Sequence, residues 1–349
     1  MKAIRALALA AAAALALSGC AGGTAAAPAA ECGTADAFCI GLVTDSGKVD
    51  DKSFNQSAWE GVQAAVKAIP GSQSKYVETT DTKDYAANIK QFTDKKYNVV
   101  VTVGYLMTEA TQAAAKANPN VKFIGIDQFQ DTAKVGEIAN LAGLTFPEDQ
   151  AGYAAGVLAA KLSKTKVLGQ VLGMQIAPVE KFAKGFEAGA KSVASDIKVI
   201  TVYHPAGDNA FTDPAWGAAE AQKQLDQKAD VIFGAGGKTG NGALGQIAKA
   251  SGAGESIFCI GVDTDQWNTV PEAQKCLVTS AMKLISEGTA DQIKAVKGAT
   301  FKGGNVTGKA GLAAYHALDS KVPADVKDAV SKVVADLKSG ALQTGVKLG

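Results

Sequence analysis

The chain alternates short β-branched runs with helix-length amphipathic stretches, and it does so in two successive series. The first comprises strand-like runs at 39–45, 75–79, 98–103 and 122–127, separated by helical patterns over about 54–69, 85–95 and 108–117. A long helix beginning near Pro147 opens the second series. Its strands fall at 166–172, 198–203, 231–234 and 257–262, with helices over 178–195 and 214–227 between them. A further strand at 276–282, a helix over 285–297 and another over about 324–338 complete the pattern. Strands separated by helices require right-handed crossovers and parallel sheets. A length of 349 residues is about twice the usual domain, so two sheets of similar size are expected.

Three of these strands end in a carboxylate within a residue or two of their last apolar position: Asp45 after Gly41-Leu42-Val43, Asp127 after Ile124-Gly125-Ile126, and Asp263 after Ile260-Gly261-Val262. Any one of them has a plainer assignment as a helix cap or turn residue. Open parallel sheets, however, bind ligands beyond the carboxyl ends of their strands. Carboxylates at that position in two different sheets point to one cleft between two lobes.

Composition restricts what the cleft can hold. Arg5 is the only arginine, so a chain processed behind it carries lysines alone as permanent cations. Bidentate guanidinium recognition of carboxylate or phosphate is thereby excluded, which disfavours amino acids, dicarboxylates and nucleotides. A formal charge of +1 gives no electrostatic footprint for nucleic acid.

At the N-terminus, Lys2 and Arg5 precede an apolar run from Ala6 to Leu17 that ends in Ser18-Gly19-Cys20. This is the basic, apolar and small-residue order of a secretory signal, too short to span a bilayer. The placement of Cys20 resembles a bacterial lipobox, with residues 1–19 removed and the Cys20 thiol acylated. Residues 20–37, rich in Gly, Thr, Ala and Pro, then form a tether. An ordinary signal peptide with a chance cysteine is the alternative. Four cysteines remain in an exported compartment, Cys32, Cys39, Cys259 and Cys276, in two sequence-local pairs. Three pairings are possible. Cys32 with Cys39 and Cys259 with Cys276 are favoured, the latter because each stands four residues before a strand-end residue, Asp263 or Ser280; buried free thiols are the alternative. His204 and His316, the two histidines, have no metal-ligand spacing to a cysteine, and no metal is expected.

Two segments invite misreading. Phe233-Gly234-Ala235-Gly236-Gly237-Lys238-Thr239 ends like a phosphate loop, yet the leading glycine of that motif is replaced by Ile232 and the dinucleotide spacing fails at Thr239. What survives is a strand ending in a turn that lets a ligand approach the backbone. With no nucleophile elbow and two scattered histidines, there is no strong case for catalysis.

The most informative run is Asp45 to Gly61, where a strand ends, a polar loop follows, and Phe54-Asn55 stands at a helix start. An aromatic face beside an amide suits a planar heterocycle; Phe54 as a packing staple and Trp59 as a core residue are the plainer assignments. This run, with Gly125-Ile126-Asp127-Gln128, the 233–242 segment, Gly261-Val262-Asp263-Thr264-Asp265-Gln266 and Ser280-Ala281-Met282-Lys283, resembles in order the basic membrane protein family, lipoprotein purine nucleoside receptors of ABC importers.

The resemblance implies an α/β, type I periplasmic-binding-protein fold: two Rossmann-like lobes joined by three crossovers. It places residues 38–146 plus about 264–300 in the N-terminal lobe, and 147–263 plus about 301–349 in the C-terminal lobe. It implies that Phe54 and Phe233 sandwich a base, Asn55 and Asp127 bond its edge, Asp263 and Lys283 hold the ribose, Asp45 supports that end, and Gly236 admits the backbone. Lys48 departs from the glycine common in relatives. The implied protein is a lipid-anchored receptor on the extracytoplasmic face of a bacterial membrane, with a nucleoside ligand, an ABC permease as partner and no cofactor. A sugar or autoinducer receptor, a nucleoside hydrolase and a signalling or adhesion protein are the rival readings.

Overall fold

A computed structural model describes residues 30–348; the signal sequence, Cys20 and most of the tether expectation lie outside that range. The strands are β1 (Phe38–Ser46), β2 (Ser72–Thr79), β3 (Val99–Val103), β4 (Lys122–Ile126), β5 (Leu141–Thr145), β6 (Val167–Leu172), β7 (Lys198–Tyr203), β8 (Val231–Ala235), β9 (Phe258–Asp263), β10 (Leu277–Lys283), β11 (Gly304–Thr307) and β12 (Ala310–Leu312). The helices are α1 (Phe54–Ala68), α2 (Tyr85–Thr93), α3 (Thr108–Ala117), α4 (Thr132–Val135), α5 (Glu148–Leu162), α6 (Ala177–Val193), α7 (Pro214–Asp226), α8 (Gly237–Ile247), α9 (Gln266–Thr269), α10 (Ile285–Lys297) and α11 (Ala324–Ser339).

Two six-stranded sheets form, in the orders β11-β5-β4-β3-β1-β2 and β12-β10-β9-β8-β6-β7. All pairings are parallel except β12 against β10. Both faces of each sheet are covered, as a parallel sheet requires. In the first, Ile40 and Leu42 join one apolar cluster while Cys39 and Val43 join the other. In the second, Phe233 and Val231 pack on one side and Ile232 on the other. This is a two-lobed type I periplasmic-binding-protein fold.

The strand pairings place two boundaries differently from the sequence-based expectation. Residues 264–283 belong to the C-terminal lobe, because β10 pairs with β9. Residues 304–307 belong to the N-terminal lobe, because β11 pairs with β5. The chain therefore crosses between lobes at Phe146-Pro147, at Leu284 and at Gly308-Lys309. These crossovers bond one another: Leu284 N–H donates to Lys309 O at 2.9 Å, and Gly308 N–H to Thr145 O at 2.7 Å.

Both favoured disulfides are present, Cys32–Cys39 and Cys259–Cys276. The strand after Cys276 runs on to Lys283 rather than ending at Ser280, and a register irregularity between Leu277 and Thr279 takes up the difference. Between β11 and α11 the chain forms β12 and a short 3-10 turn from His316 to Lys321.

Helices α5 and α6 touch backbone to backbone, which fixes the wall of the cleft. Glycines repeat at a spacing of four on each contact face: Gly152 and Gly156 on α5, Gly185 and Gly189 on α6. A methyl group at Gly156 would stand 2.0 Å from Phe186 O, and one at Gly189 2.0 Å from Tyr153 O. Only hydrogen permits that approach, and Phe182 on α6 is carried to the cleft by it. We predict that Gly156→Ala destabilises the protein by about 1–3 kcal/mol through overpacking, read as a lowered midpoint in denaturant unfolding.

Candidate functional site

The carboxyl ends of the two sheets face each other across the hinge. From the N-terminal lobe come Asp45 at the end of β1, Gly104 and Tyr105 after β3, Asp127 after β4, and Phe54 and Asn55 at the start of α1. The C-terminal lobe supplies Phe182 from α6, Phe211 and Thr212 from the loop before α7, Ala235 to Lys238 around the start of α8, and Asp263 and Lys283 at the ends of β9 and β10. The space between these walls, its open mouth included, is about 700 Å³.

Asp45, Phe54, Asn55, Asp127, Gly236, Asp263 and Lys283 all line this cavity. Phe233 does not. It stands two residues before the end of β8, so its side chain alternates into the layer beneath, where it is fully buried. There its ring stacks on Phe186 at 5.5 Å and meets Phe182 edge-on at 6.0 Å. The aromatic surfaces of the C-terminal lobe that reach the cavity are Phe182 and Phe211. Phe211 carried a signal: a lone aromatic in the polar run Asp208-Asn209-Ala210-Phe211-Thr212-Asp213 before a helix, the same setting as Phe54.

The electrostatic centre is Lys283. Its Nζ lies 2.5 Å from Asp127 Oδ2, 3.7 Å from Asp263 Oδ1 and 3.9 Å from Glu148 Oε1, with every side chain in the group nearly inaccessible. Burial alone pulls the Lys283 ammonium down, but the three carboxylates outweigh it and hold the group charged. The same ammonium lies 4.5 Å from the centroid of the Phe54 ring, a cation–π contact. Asp127 spends one oxygen on Lys283, while its buried Oδ1 has no partner. Asp263 accepts from Ser53 Oγ at 2.7 Å. Asp127 and Asp263 both adopt left-handed backbone, with φ of 60° and 65°, which turns the chain sharply where each strand ends.

Asn55 accepts from the backbone N–H of Asp45 at 3.2 Å, so its amide oxygen is engaged and its amide hydrogens remain for the cavity. Asp51, missed in the sequence reading, organises this wall: its buried carboxylate accepts from the backbone N–H groups of Ser53, Asn55 and Gln56, capping α1. Tyr85 Oη donates to Asp45 Oδ1, and Ser46 N–H donates to the same oxygen.

Burial pushes the Asp45 carboxyl up to about 6, its bonds from Tyr85 and Ser46 offsetting only part of that. A carboxyl raised in the folded state retains its proton where the unfolded chain has lost it. Its ionisation therefore costs stability as pH rises from about 4 to about 6. Asn at this position keeps the oxygen that Tyr85 and Ser46 bond and removes the titration. We predict that unliganded Asp45→Asn loses one carboxyl's share of the pH dependence, on the order of 1 kcal/mol per pH unit across that window, measured by urea unfolding at pH 4.5, 5.5 and 7.

Residues 40–312 match the family model described as "ABC transporter substrate-binding protein PnrA-like". The chain belongs to this family. It is 32% identical over 320 residues to the ABC transporter nucleoside-binding protein BmpA of Lactococcus lactis, covering 86% of this chain and 87% of that one. Basic membrane protein A of Borreliella burgdorferi is 31% identical over 271 residues, covering 76% and 75%. Among solved structures, an ABC transporter solute-binding protein of Aeropyrum pernix superposes with a TM-score of 0.77 at 21% identity over 88% of this chain and 92% of that one, a likeness of fold.

Proposed function

We propose that the protein captures a nucleoside, a purine one, between its lobes and delivers it to an ABC permease, held at the extracytoplasmic membrane face by a lipid on Cys20. The observation that carries the ligand reading is the pairing of an unpartnered buried acceptor, Asp127 Oδ1, with a wall of aromatic rings and a free amide donor on Asn55. A purine edge offers an N–H beside an acceptor nitrogen or carbonyl, which complements both groups at once. The base stacks on Phe54 from one lobe and on Phe211 or Phe182 from the other. Asp263 and Lys283 lie at the strand ends where a ribose would bond. The name of the Lactococcus relative agrees with this reading.

Permease delivery follows from the family, and closure of the lobes is the natural capture step. Contacts that a solute makes with both lobes at once favour the closed state over the open one. An aromatic face under a base contributes about 1–3 kcal/mol, so Phe54→Ala and Phe211→Ala are each predicted to weaken guanosine binding at least about tenfold in calorimetry. Phe233→Ala is predicted to act differently, lowering the unfolding midpoint through a core cavity. Unchanged affinity in both Phe54→Ala and Phe211→Ala would overturn the stacking assignment.

The cleft also sorts solutes by charge. Asp45, Asp51, Asp127 and Asp263 line it, against Lys283 within and Lys48 and Lys238 at the rim. A phosphate would enter beside carboxylates with no guanidinium to meet it. A thermal-shift panel is expected to show stabilisation by guanosine or inosine and none by the corresponding monophosphates or by free ribose. Stabilisation by a monosaccharide and by no nucleoside would favour the sugar-receptor reading instead.

A further inference from the structure

Between β1 and α1 the N-terminal lobe sends out a loop whose consecutive residues all bond the opposite lobe. The Asp51 carbonyl accepts from Asn241 Nδ2 at 2.8 Å. The Lys52 carbonyl accepts twice, from Thr269 Oγ1 at 2.8 Å and from Gln266 Nε2 at 3.3 Å. On either side, Asp50 pairs with Lys238 at 3.2 Å and Ser53 Oγ donates to Asp263. Lys52 holds a φ of 65°, a left-handed conformation that a lysine adopts at a cost and that the surrounding bonds must maintain.

Both sides of this contact are anchored independently. On the N-terminal side the Asp51 carboxylate grips the first turn of α1 through three backbone N–H groups, so the loop cannot drift from its lobe. On the C-terminal side Gln266 is fully buried: its Oε1 accepts from Val262 N–H at 2.9 Å, its own N–H donates to Ser280 Oγ at 3.1 Å, and its amide also donates to Asn241 Oδ1 at 2.8 Å. The donors are thus held ready before the lobes meet. Lys52, Asn241, Gln266 and Thr269 do not line the cavity.

We propose that the carbonyls of Asp51 and Lys52, gripped by Asn241, Gln266 and Thr269 from outside the cavity, form a clasp that sets the open–closed balance of the lobes. Asn241 and Thr269 are its positioning residues. The bonds form only when the lobes close, so their free energy adds to closure whatever the cleft contains. A neutral hydrogen bond of this kind shifts an equilibrium by about fivefold. The effect of the clasp on solute affinity rests on the nucleoside reading above; its effect on the unliganded protein does not.

The test uses the full chain with one spin label on α2 and one on α7, and reads the interlobe distance distribution without solute. Thr269→Val, which keeps the side-chain shape, and Asn241→Ala are each expected to raise the ratio of open to closed protein about fivefold. Thr269→Ser, which keeps the hydroxyl, is expected to restore the wild-type distribution. The proposal is overturned if Thr269→Val superposes on wild type, if Thr269→Ser opens as far as Thr269→Val, or if the wild type shows no closed population. With guanosine added, dissociation from Thr269→Val and Asn241→Ala is expected to be about fivefold faster by stopped flow. If the unliganded distances shift as expected while guanosine binds none of these proteins, the clasp stands and the nucleoside reading falls.

Discussion

One buried ammonium ties the two lobes together. Lys283 is the last residue of β10 and directly precedes the crossover at Leu284, so its backbone belongs to the C-terminal sheet while its Nζ pairs with Asp127 of the N-terminal lobe. Asp263 and Glu148 stand within 4 Å of the same nitrogen. Removing a charge from water costs several kcal/mol, and a single carboxylate seldom repays it. Three carboxylates around one ammonium overcompensate, which leaves Lys283 charged and leaves a carboxylate excess in need of protons or donors. Burial first, and then the neighbouring Asp127, lift Glu148 to about 7, even though Lys283 and Lys181 oppose the shift. The charge cluster is therefore complete in its cation and incomplete in its donors, with Asp127 Oδ1 buried and without a hydrogen-bond donor.

The two lobes solve the same local problem in the same way. Gly125-Ile126-Asp127-Gln128 ends β4, and Gly261-Val262-Asp263 followed by Gln266 ends β9. In each, an aspartate takes up left-handed backbone so that its carboxylate turns into the cleft. In each, a glutamine folds back over the preceding glycine: Gln128 Nε2 donates to Gly104 O at 3.1 Å, and Gln266 Oε1 accepts from Val262 N–H. The glycine is needed there, because a methyl group at Gly125 or Gly261 would stand 2.3 Å or 2.6 Å from the glutamine oxygen. What looks in the sequence like a pair of similar tripeptides, Gly-Ile-Asp and Gly-Val-Asp, is a device for aiming two carboxylates at one point from opposite sheets.

Much of this was legible from spacing. The central strands of both sheets are continuous apolar runs, and their period separates them from the helices; the strand-end aspartates follow from the rule that ligands sit beyond the carboxyl ends. The sequence reading missed β5, β11 and β12, which are three to five residues long and rich in glycine and alanine, too short for a period to emerge. Because β10 and β11 on either side of α10 belong to different sheets, missing β11 also shifted the lobe boundaries. The family resemblance implies Phe233 as a cleft residue. Strand parity decides otherwise: Val231, Phe233 and Ala235 face the same layer, and only the small terminal Ala235 reaches the cavity. Phe211 lies in an irregular loop where no period assigns a face, and its place against Gly173 is a matter of tertiary packing.

The confinement of arginine to Arg5, outside the described residues, acquires its meaning from the Lys283 cluster. A lysine whose carboxylate partners are already in place has no free positive charge to offer a solute, and Lys48 and Lys238 stand at the mouth, where water screens them. An anionic solute would bring a further negative charge next to Asp127 and Asp263 and gain no guanidinium fork in return. A neutral solute with N–H and O–H groups instead supplies the donors that the carboxylate excess lacks, so each bond it makes also relieves repulsion within the protein. On the nucleoside reading proposed above, affinity for an uncharged hydrogen-bond donor and rejection of its phosphorylated form have a single electrostatic origin.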